Sequence, residues 1–511
     1  MMIGRAVLPA LLLGTWLGAA SPESWIPVRW EGGPLEVSRR AKAFGDASLR
    51  DAVSSWYAPA TLALLDETPV NCLLVTFTTG ANSEAEQQQR RLVKEYAALA
   101  RKRGIAVLGI VYAAGDAAAI AAAAAEATLD GLVLDGEFKA PFIAALEAAV
   151  HERQPAAVVI PIERDPASVR AAERPVLAVQ GVGPSARDLS DSGIRAGASA
   201  EPWIESNIWL VHSFRLGPRP RMVWINQQPN PSAPGDYLRC VADAAVAGGR
   251  WMVSLDDALR AKLARKDPEA LKHWRSIAAY LRFAEEHAEW RALPPYGNMA
   301  VVVDAASSEQ ALSDEYLNLS TRRHVPYRLI ERSRFSAASL SGSTAVLAVN
   351  LAPPSAAERK ILQDFAEAGG LVIAAPSWGA AVTEDNYAEV PLGKGRVAIY
   401  KNDPPEPESV AKDLADLLPP EVMGLSVFNV PSILTYASAS QSGGRVVIQL
   451  LNYATRPYES RMTFRINGTF KTARMVSPEG PAVEGEVAPT KNGRTEVVIP
   501  RLAVWGALVL E

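Results

Sequence analysis

From Trp25 to about Leu293, short apolar runs alternate with amphipathic or Ala-rich stretches. The runs are Ile26–Trp30, Val70–Phe77, Ile105–Tyr112, Gly131–Leu134, Ala157–Ile162, Val176–Val179, Asn207–Val211 and Met222–Ile225. Ser83–Arg103, Asp116–Thr128 and Phe142–Arg153 are the clearest helical stretches between them. Continuous apolar strands alternating with helices predict a parallel sheet covered on both faces. Eight evenly spaced units over roughly 270 residues predict a (β/α)8 TIM barrel over 21–293 rather than an open doubly wound sheet. Helical segments at Asp236–Gly248 and Leu255–Arg291 end this part. Leu293-Pro-Pro-Tyr-Gly297 reads as a linker, because Pro and Gly interrupt both helices and strands.

A second α/β pattern runs over 298–420. Its predicted strands are Met299–Asp304, Pro326–Ile330, Ala345–Asn350 and Leu371–Ala375, closing with Gly393–Tyr400. Ser355-Ala-Ala-Glu358 reads as a capping box, in which the Ser hydroxyl and the Glu carboxylate each satisfy a free amide at the helix start. Ile361, Leu362 and Phe365 give that helix an apolar face, and Gly369-Gly370 stops it. A further helix is expected at Ser409–Leu418. Over 421–511 the pattern changes to short strands, Arg445–Leu451, Met462–Ile466, Lys471–Val476 and Thr495–Ile499, bounded by turn residues. Asn467-Gly468 reads as a hairpin turn. An all-β sandwich is expected there.

Composition narrows the classes of function. The 511 residues carry 49% hydrophobic and 21% charged side chains, which fits several packed cores and excludes general disorder. A net charge of −4 without a long basic run excludes the electrostatic footprint of a nucleic-acid binder. Arg5, the apolar run Ala6–Leu17 and the small residues Gly18, Ala19 and Ala20 predict a signal peptide over 1–20. The run is short for the roughly 30 Å of a bilayer core, so no integral membrane segment is expected after cleavage. The protein is therefore expected to be exported, to the periplasm or outside the cell. Cys72 and Cys240 lie in apolar contexts and are expected to be free, buried thiols.

The most informative chemistry lies in Asp130-Gly-Leu-Val-Leu-Asp-Gly-Glu137, at the end of the fourth run. Side chains alternate along a strand, so Val133, Asp135 and Glu137 share a side opposite Leu132 and Leu134. If the leucines meet the helices, the two acids point into the barrel mouth, the face where such barrels carry out chemistry. A carboxylic acid there can protonate a glycosidic oxygen. The segment resembles the fourth-strand motif of chitinase-like glycoside hydrolases, Asp-Gly-x-Asp-x-Asp-x-Glu. Asp130, Gly131, Asp135 and Glu137 match, and Val133 replaces the middle Asp. The resemblance implies that Glu137 is the acid and Asp135 an orienting group.

Glu163, ending the fifth run, is a second candidate acid that can face Glu137 across the mouth. The run Asn207–Val211, taken as the seventh strand, ends Trp209-Leu-Val-His212 without an acid, whereas many two-carboxylate barrel glycosidases carry a nucleophile on that strand. Trp30, His212, Trp224, Asn226 and Gln228 are candidate substrate contacts, with Glu31 and Gln227 beside them, because an aromatic face next to amides suits a sugar ring. Gly181-Val-Gly183-Pro-Ser-Ala186 imitates a dinucleotide-binding turn only weakly. The five His show no metal-ligand spacing and no Gly-x-Ser-x-Gly elbow occurs, so no cofactor or metal is expected and a deacetylase or esterase is disfavoured.

The middle unit, with Leu362–Ile373 and Gly393-Lys-Gly-Arg-Val397, resembles the glutamine-amidotransferase-like domain of multidomain β-galactosidases. The resemblance implies a flavodoxin-like, class I amidotransferase-like domain with a structural role and homo-oligomer formation through it. No Cys follows Cys240, so amidotransferase activity is excluded. Leu450-Leu-Asn-Tyr453 and Ile499–Trp505 look like the terminal β-sandwich of such hydrolases. Two readings stand: an exported glycoside hydrolase acting on an oligo- or polysaccharide by carboxylate acid catalysis, and a catalytically inactive barrel that binds glycans or scaffolds an envelope assembly.

Overall fold

The computed structural model describes residues 21–44, 46–164, 174–187, 203–215, 221–304, 307, 309–378, 385–430, 432–440, 443–490 and 492–511. The signal-peptide reading of 1–20 lies outside them.

Eight parallel strands close the first unit into a barrel. In chain order they are Pro27–Arg29, Cys72–Thr78, Ala106–Val111, Gly131–Leu134, Val158–Glu163, Val176–Gln180, Met222–Asn226, and an eighth made of Arg250–Trp251 and Val253–Ser254 on either side of Met252. The eighth closes the ring. Arg250 and Trp251 pair with Trp224 and Ile225 of the seventh strand, while Val253 and Ser254 pair with Val28 and Arg29 of the first.

The expected barrel is present, but two of its strands were misplaced. The stretch taken as the seventh strand is a helix, Ile208–Phe214, and the true seventh strand is Met222–Asn226. Of that helix's seven residues, six are buried, so no exposed polar face marks its helical period. Periodicity cannot separate such a short buried helix from a buried strand.

Strand parity divides the barrel's core. Cys72, Leu74, Leu108, Ile110, Val133, Ile160, Ala178, Trp224 and Met252 fill the interior. Their neighbours in sequence, among them Leu73, Val75, Val107, Leu132, Leu134, Leu177, Val223 and Val253, meet the surrounding helices. Both cysteines are free and buried. Among the described residues, no helix is long and apolar enough to cross a membrane.

The middle unit is a six-stranded sheet with the order Tyr327–Glu331, Met299–Val303, Ala345–Ala348, Leu371–Ala374, Gly395–Tyr400 and Tyr387–Leu392. All pairings are parallel except that of the last edge strand. This is the flavodoxin-like order, with an antiparallel edge added. The capping box at Ser355 and Glu358 forms as expected.

Two antiparallel sheets make the C-terminal sandwich, one of four strands and one of five. Here Asn467-Gly468 is not a hairpin turn. The strand before it, Met462–Asn467, belongs to the four-stranded sheet, and the strand after it, Ala473–Ser477, to the five-stranded one. The turn begins a connection between sheets, and Gly468 takes a positive φ of 101° there.

The sandwich shares a core with the barrel. Leu434, Val447, Leu451, Tyr453 and Trp505 belong to the same buried cluster as the barrel's outer face. Trp505 meets Phe283 of the last barrel helix edge to face, with ring centroids 4.8 Å apart.

Candidate active site at the barrel mouth

Above the apolar interior, the strand ends carry a ring of polar side chains. Parity sends Thr76, Tyr112, Asp135, Gln180 and Asn226 to the same face as the interior residues two positions before them, and Arg29 joins them from the first strand. Arg29 stands at the centre and is nearly inaccessible. Its Nε and Nη2 donate to the two oxygens of Glu31 at 2.9 and 3.0 Å. Nη2 also donates to Asp135 Oδ2 at 2.5 Å, and Nη1 to Asn226 Oδ1 at 2.8 Å. One guanidinium thus ties the first, fourth and seventh strands together. A planar five-donor fork suits this task better than a single ammonium.

The ring extends on both sides. Asn226 donates to Gln180 Oε1 at 2.8 Å, and the Tyr112 hydroxyl donates to Glu31 Oε1 at 2.7 Å. Arg39 lies over the Tyr112 ring, 3.8 Å from its centroid, and bonds Glu36. Glu36 accepts from Thr76 Oγ1 at 2.9 Å. Arg40 pairs with Asp257 at 2.7 Å, and Arg260 pairs with the same carboxylate while donating to the backbone oxygen of Glu31.

This alternation of charge decides which carboxyls are ionised. Burial alone would raise the Glu31 carboxyl, but the adjacent Arg29 outweighs it and holds Glu31 well below the usual carboxylate range. Burial and the charge of Glu31 instead push Glu36 up. Burial, reinforced by Glu31, also pushes the Tyr112 hydroxyl well above its ordinary value, so it stays a neutral donor.

Residues 130–137 behave as parity predicts up to Asp135. Val133 faces the interior, Leu132 and Leu134 face the helices, and Asp135 turns to the mouth. Gly136 is required by space: a Cβ there would sit 2.4 Å from the Tyr112 carbonyl oxygen. It lets the chain press against the third strand while Glu137 emerges exposed. Among the described residues Glu137 has no hydrogen bond or ion pair. Glu163 is partly exposed and lies 3.8 Å from Arg174.

The other candidates separate. Asn226 is in the ring. Gln228 is at the rim, donating to Ser254 Oγ at 2.9 Å. Trp30 is not a mouth residue: it shares the outward parity of Val28, its indole donates to Tyr96 at 2.8 Å, and its ring packs on Trp56. Trp224 has the inward parity but lies a layer below the mouth, fully buried in the barrel interior. His212 lies on the Ile208–Phe214 helix and stacks on Tyr327 of the middle unit, with centroids 5.0 Å apart. Gln227 is buried and accepts from Asn207 at 2.9 Å. The glycine-rich stretch at 181–186 leads into the short strand Ser185–Arg187, not into a helix as a dinucleotide turn would.

Sequence reasoning missed Arg29, Tyr112 and Gln180. Arg29 did carry a signal: it is the charged residue inside an otherwise apolar strand run. The seventh strand ends Asn226-Gln227-Gln228, so it carries amides where the sequence reading had noted the lack of an acid on other residues.

Several solved structures match over nearly the whole chain, among them the following three. A β-galactosidase from Bacillus circulans sp. alkalophilus aligns with a TM-score of 0.55 at 8% identity, covering 95% of this chain and 99% of that one. A GH42 β-galactosidase from G. stearothermophilus gives 0.54 at 9% identity over 95% and 98%. An α-L-fucosidase isoenzyme from Paenibacillus thiaminolyticus gives 0.54 at 10% identity over 89% and 96%. The likeness is one of fold. Barrel, α/β unit and sandwich align together with glycoside hydrolases, the architecture expected from the sequence. No family model matches the chain, and no curated protein matches it in sequence.

Proposed function

We propose that the protein is an exported glycoside hydrolase that binds a glycan across the barrel mouth. The observation carrying this reading is the division of labour among three carboxyls near one another in the chain's fold. Glu31 and Asp135 share Arg29 Nη2, while Glu137, two residues beyond Asp135, is exposed and without a partner among the described residues. Glycoside hydrolysis needs two such states: an acid that gives up a proton and an ionised carboxylate facing the positive charge on the sugar ring.

In this reading Glu137 protonates the glycosidic oxygen as the anomeric C–O bond breaks. Asp135, held by Arg29, faces the charge that develops on the anomeric carbon, and the ionised Glu31 adds to the same field. Water then adds to the anomeric carbon and gives its proton to Glu137, which restores the acid. Gln228, exposed at the rim, supplies an amide for a sugar hydroxyl. The middle unit serves as a structural and oligomerising domain. The full-length fold match to β-galactosidases and a fucosidase supports a carbohydrate ligand.

A second reading has a specific observation in its favour. The seventh strand presents neutral Asn226, locked between Arg29 and Gln180, so the mouth is a polar ring without an acid at that strand's end. Under it the protein binds glycans without turnover. A screen over plant, microbial and amino-sugar glycans, following both binding and product release, separates the two. Product release supports the hydrolase, and binding without products supports the second reading.

A further inference from the structure

Where the sandwich meets the barrel, a small cavity of about 10 Å³ has room for one water-sized particle. Its walls come from both units. The barrel supplies Arg215, Gly248, Trp290 and Arg291, and three neighbouring strands of the five-stranded sheet supply Tyr436, Gln449 and Trp505. None of these residues belongs to the ring around Arg29.

Arg215 sets the charge of the cavity. Its Nη1 donates to the Ala247 carbonyl at 2.7 Å and its Nη2 to the Arg291 carbonyl at 2.5 Å. Gly248, at a φ of 93°, makes room for the guanidinium, since a Cβ there would lie 2.3 Å from Nη1. Both acceptors are neutral, and among the described residues no carboxylate pairs with Arg215. Burial pulls the guanidinium below its ordinary pKa, and Tyr436 offsets this only in part. Arg291, the other cation of the lining, is bound to Glu285 at 2.7 Å. Burial pushes His287 down, so it is neutral near neutrality. Among the described residues no carboxylate lines the cavity, which is left with one uncompensated positive charge.

The hydrogen-bond count points the same way. Arg215 Nε and the indole nitrogens of Trp290 and Trp505 are buried and meet no acceptor in the protein. Gln449 uses its amide nitrogen on the Val246 carbonyl at 2.7 Å. Burial raises the Tyr436 phenol, so it stays protonated and can donate as well. Buried donors in native proteins are almost always satisfied, so three of them around one cavity call for an occupant that accepts. A water molecule must itself donate, and it leaves the guanidinium charge uncompensated. A halide ion accepts from every side and supplies the missing charge. A carboxylate, phosphate or sulfate is too large for the space.

We propose that this cavity is a chloride site, in which one ion accepts from Arg215 Nε and the Trp290 and Trp505 indoles and holds the sandwich to the barrel. The test uses the full chain, melted in mixtures of sodium chloride and sodium gluconate at fixed ionic strength. A ligand that binds only the native state stabilises it in proportion to its occupancy. The melting temperature is therefore expected to rise as chloride replaces gluconate. Trp290→Phe keeps a ring on His287 and removes one donor, so about tenfold more chloride is expected to be needed for the same rise. Arg215→Met is expected to remove the chloride dependence, whatever its own melting temperature. Crystals soaked in bromide should show an anomalous-scattering peak beside Arg215 Nε. Equal melting in the two salts, a dependence that survives Arg215→Met, an unchanged chloride requirement in Trp290→Phe, or bromide absent from the cavity would overturn the proposal. Should Arg215→Met fail to fold, the Trp290→Phe requirement and the bromide peak decide.

Discussion

Arg29 Nη2 lies 2.5 Å from Asp135 Oδ2, joining the first barrel strand to the end of the fourth. The same nitrogen reaches Glu31, so two carboxylates depend on one cation. Removing one partner of a buried ion pair leaves the other uncompensated. Arg29→Met is expected to cost about 3–5 kcal/mol at neutral pH, measured by urea unfolding. The pH dependence has a definite sign. With Arg29 present, Glu31 sits below its unfolded range, and its contribution is lost as pH falls. Without Arg29, burial raises Glu31, so the variant's deficit should shrink as pH is lowered from 7 to 5.

His212 is the second place where ionisation and fold are coupled. Burial, with a smaller effect from Arg215, pushes it down to about 3, so it is neutral in the folded protein near neutrality. The unfolded chain protonates it below about pH 6.5. Stability is therefore fully present above that pH and falls as the solution is acidified, by about 1.4 kcal/mol per pH unit for this one group. His212→Phe keeps a ring on Tyr327 and removes the titration. Its stability should depend less steeply on pH between 7 and 5 than that of the unmodified protein, as followed by urea unfolding.

A buried network anchors the sandwich to the barrel. Tyr453 donates to Asp243 at 2.6 Å, and the same carboxylate accepts from Ser206 and from Asn207, which in turn bonds Gln227 just past the seventh strand. Tyr453→Phe is expected to cost about 1–3 kcal/mol, because it withdraws a donor from a fully buried carboxylate. Calorimetry should show the barrel and sandwich unfolding together in the unmodified protein and a lower midpoint in the variant.

These couplings also show what the sequence could reveal. Parity along residues 131–135 correctly placed Asp135 at the mouth, because a strand buried on both faces leaves a clear inside and outside. The same rule applied to Val28 and Trp30 would have turned Trp30 toward the helices and Arg29 inward. The Ser355 capping box was legible because it depends on four consecutive residues. The seventh strand was not, because Ile208–Phe214 is buried all round and the true strand is followed by a two-part eighth strand too short to read. Asn467-Gly468 misled because a local turn signal does not say which sheet the next strand joins. The Arg29 ring brings together residues as far apart as 29 and 226, and no local pattern encodes that meeting.

The account turns on Glu137, which is exposed and should be replaceable with little effect on folding. The most direct measurement is the rate of reducing-sugar release by Glu137→Gln on whichever glycan the unmodified protein hydrolyses, with melting temperature as a control. A general acid contributes about 10²–10⁴-fold, so a loss of that size with an unchanged melting temperature is expected. Release by Glu137→Gln at the rate of the unmodified protein would contradict the assignment.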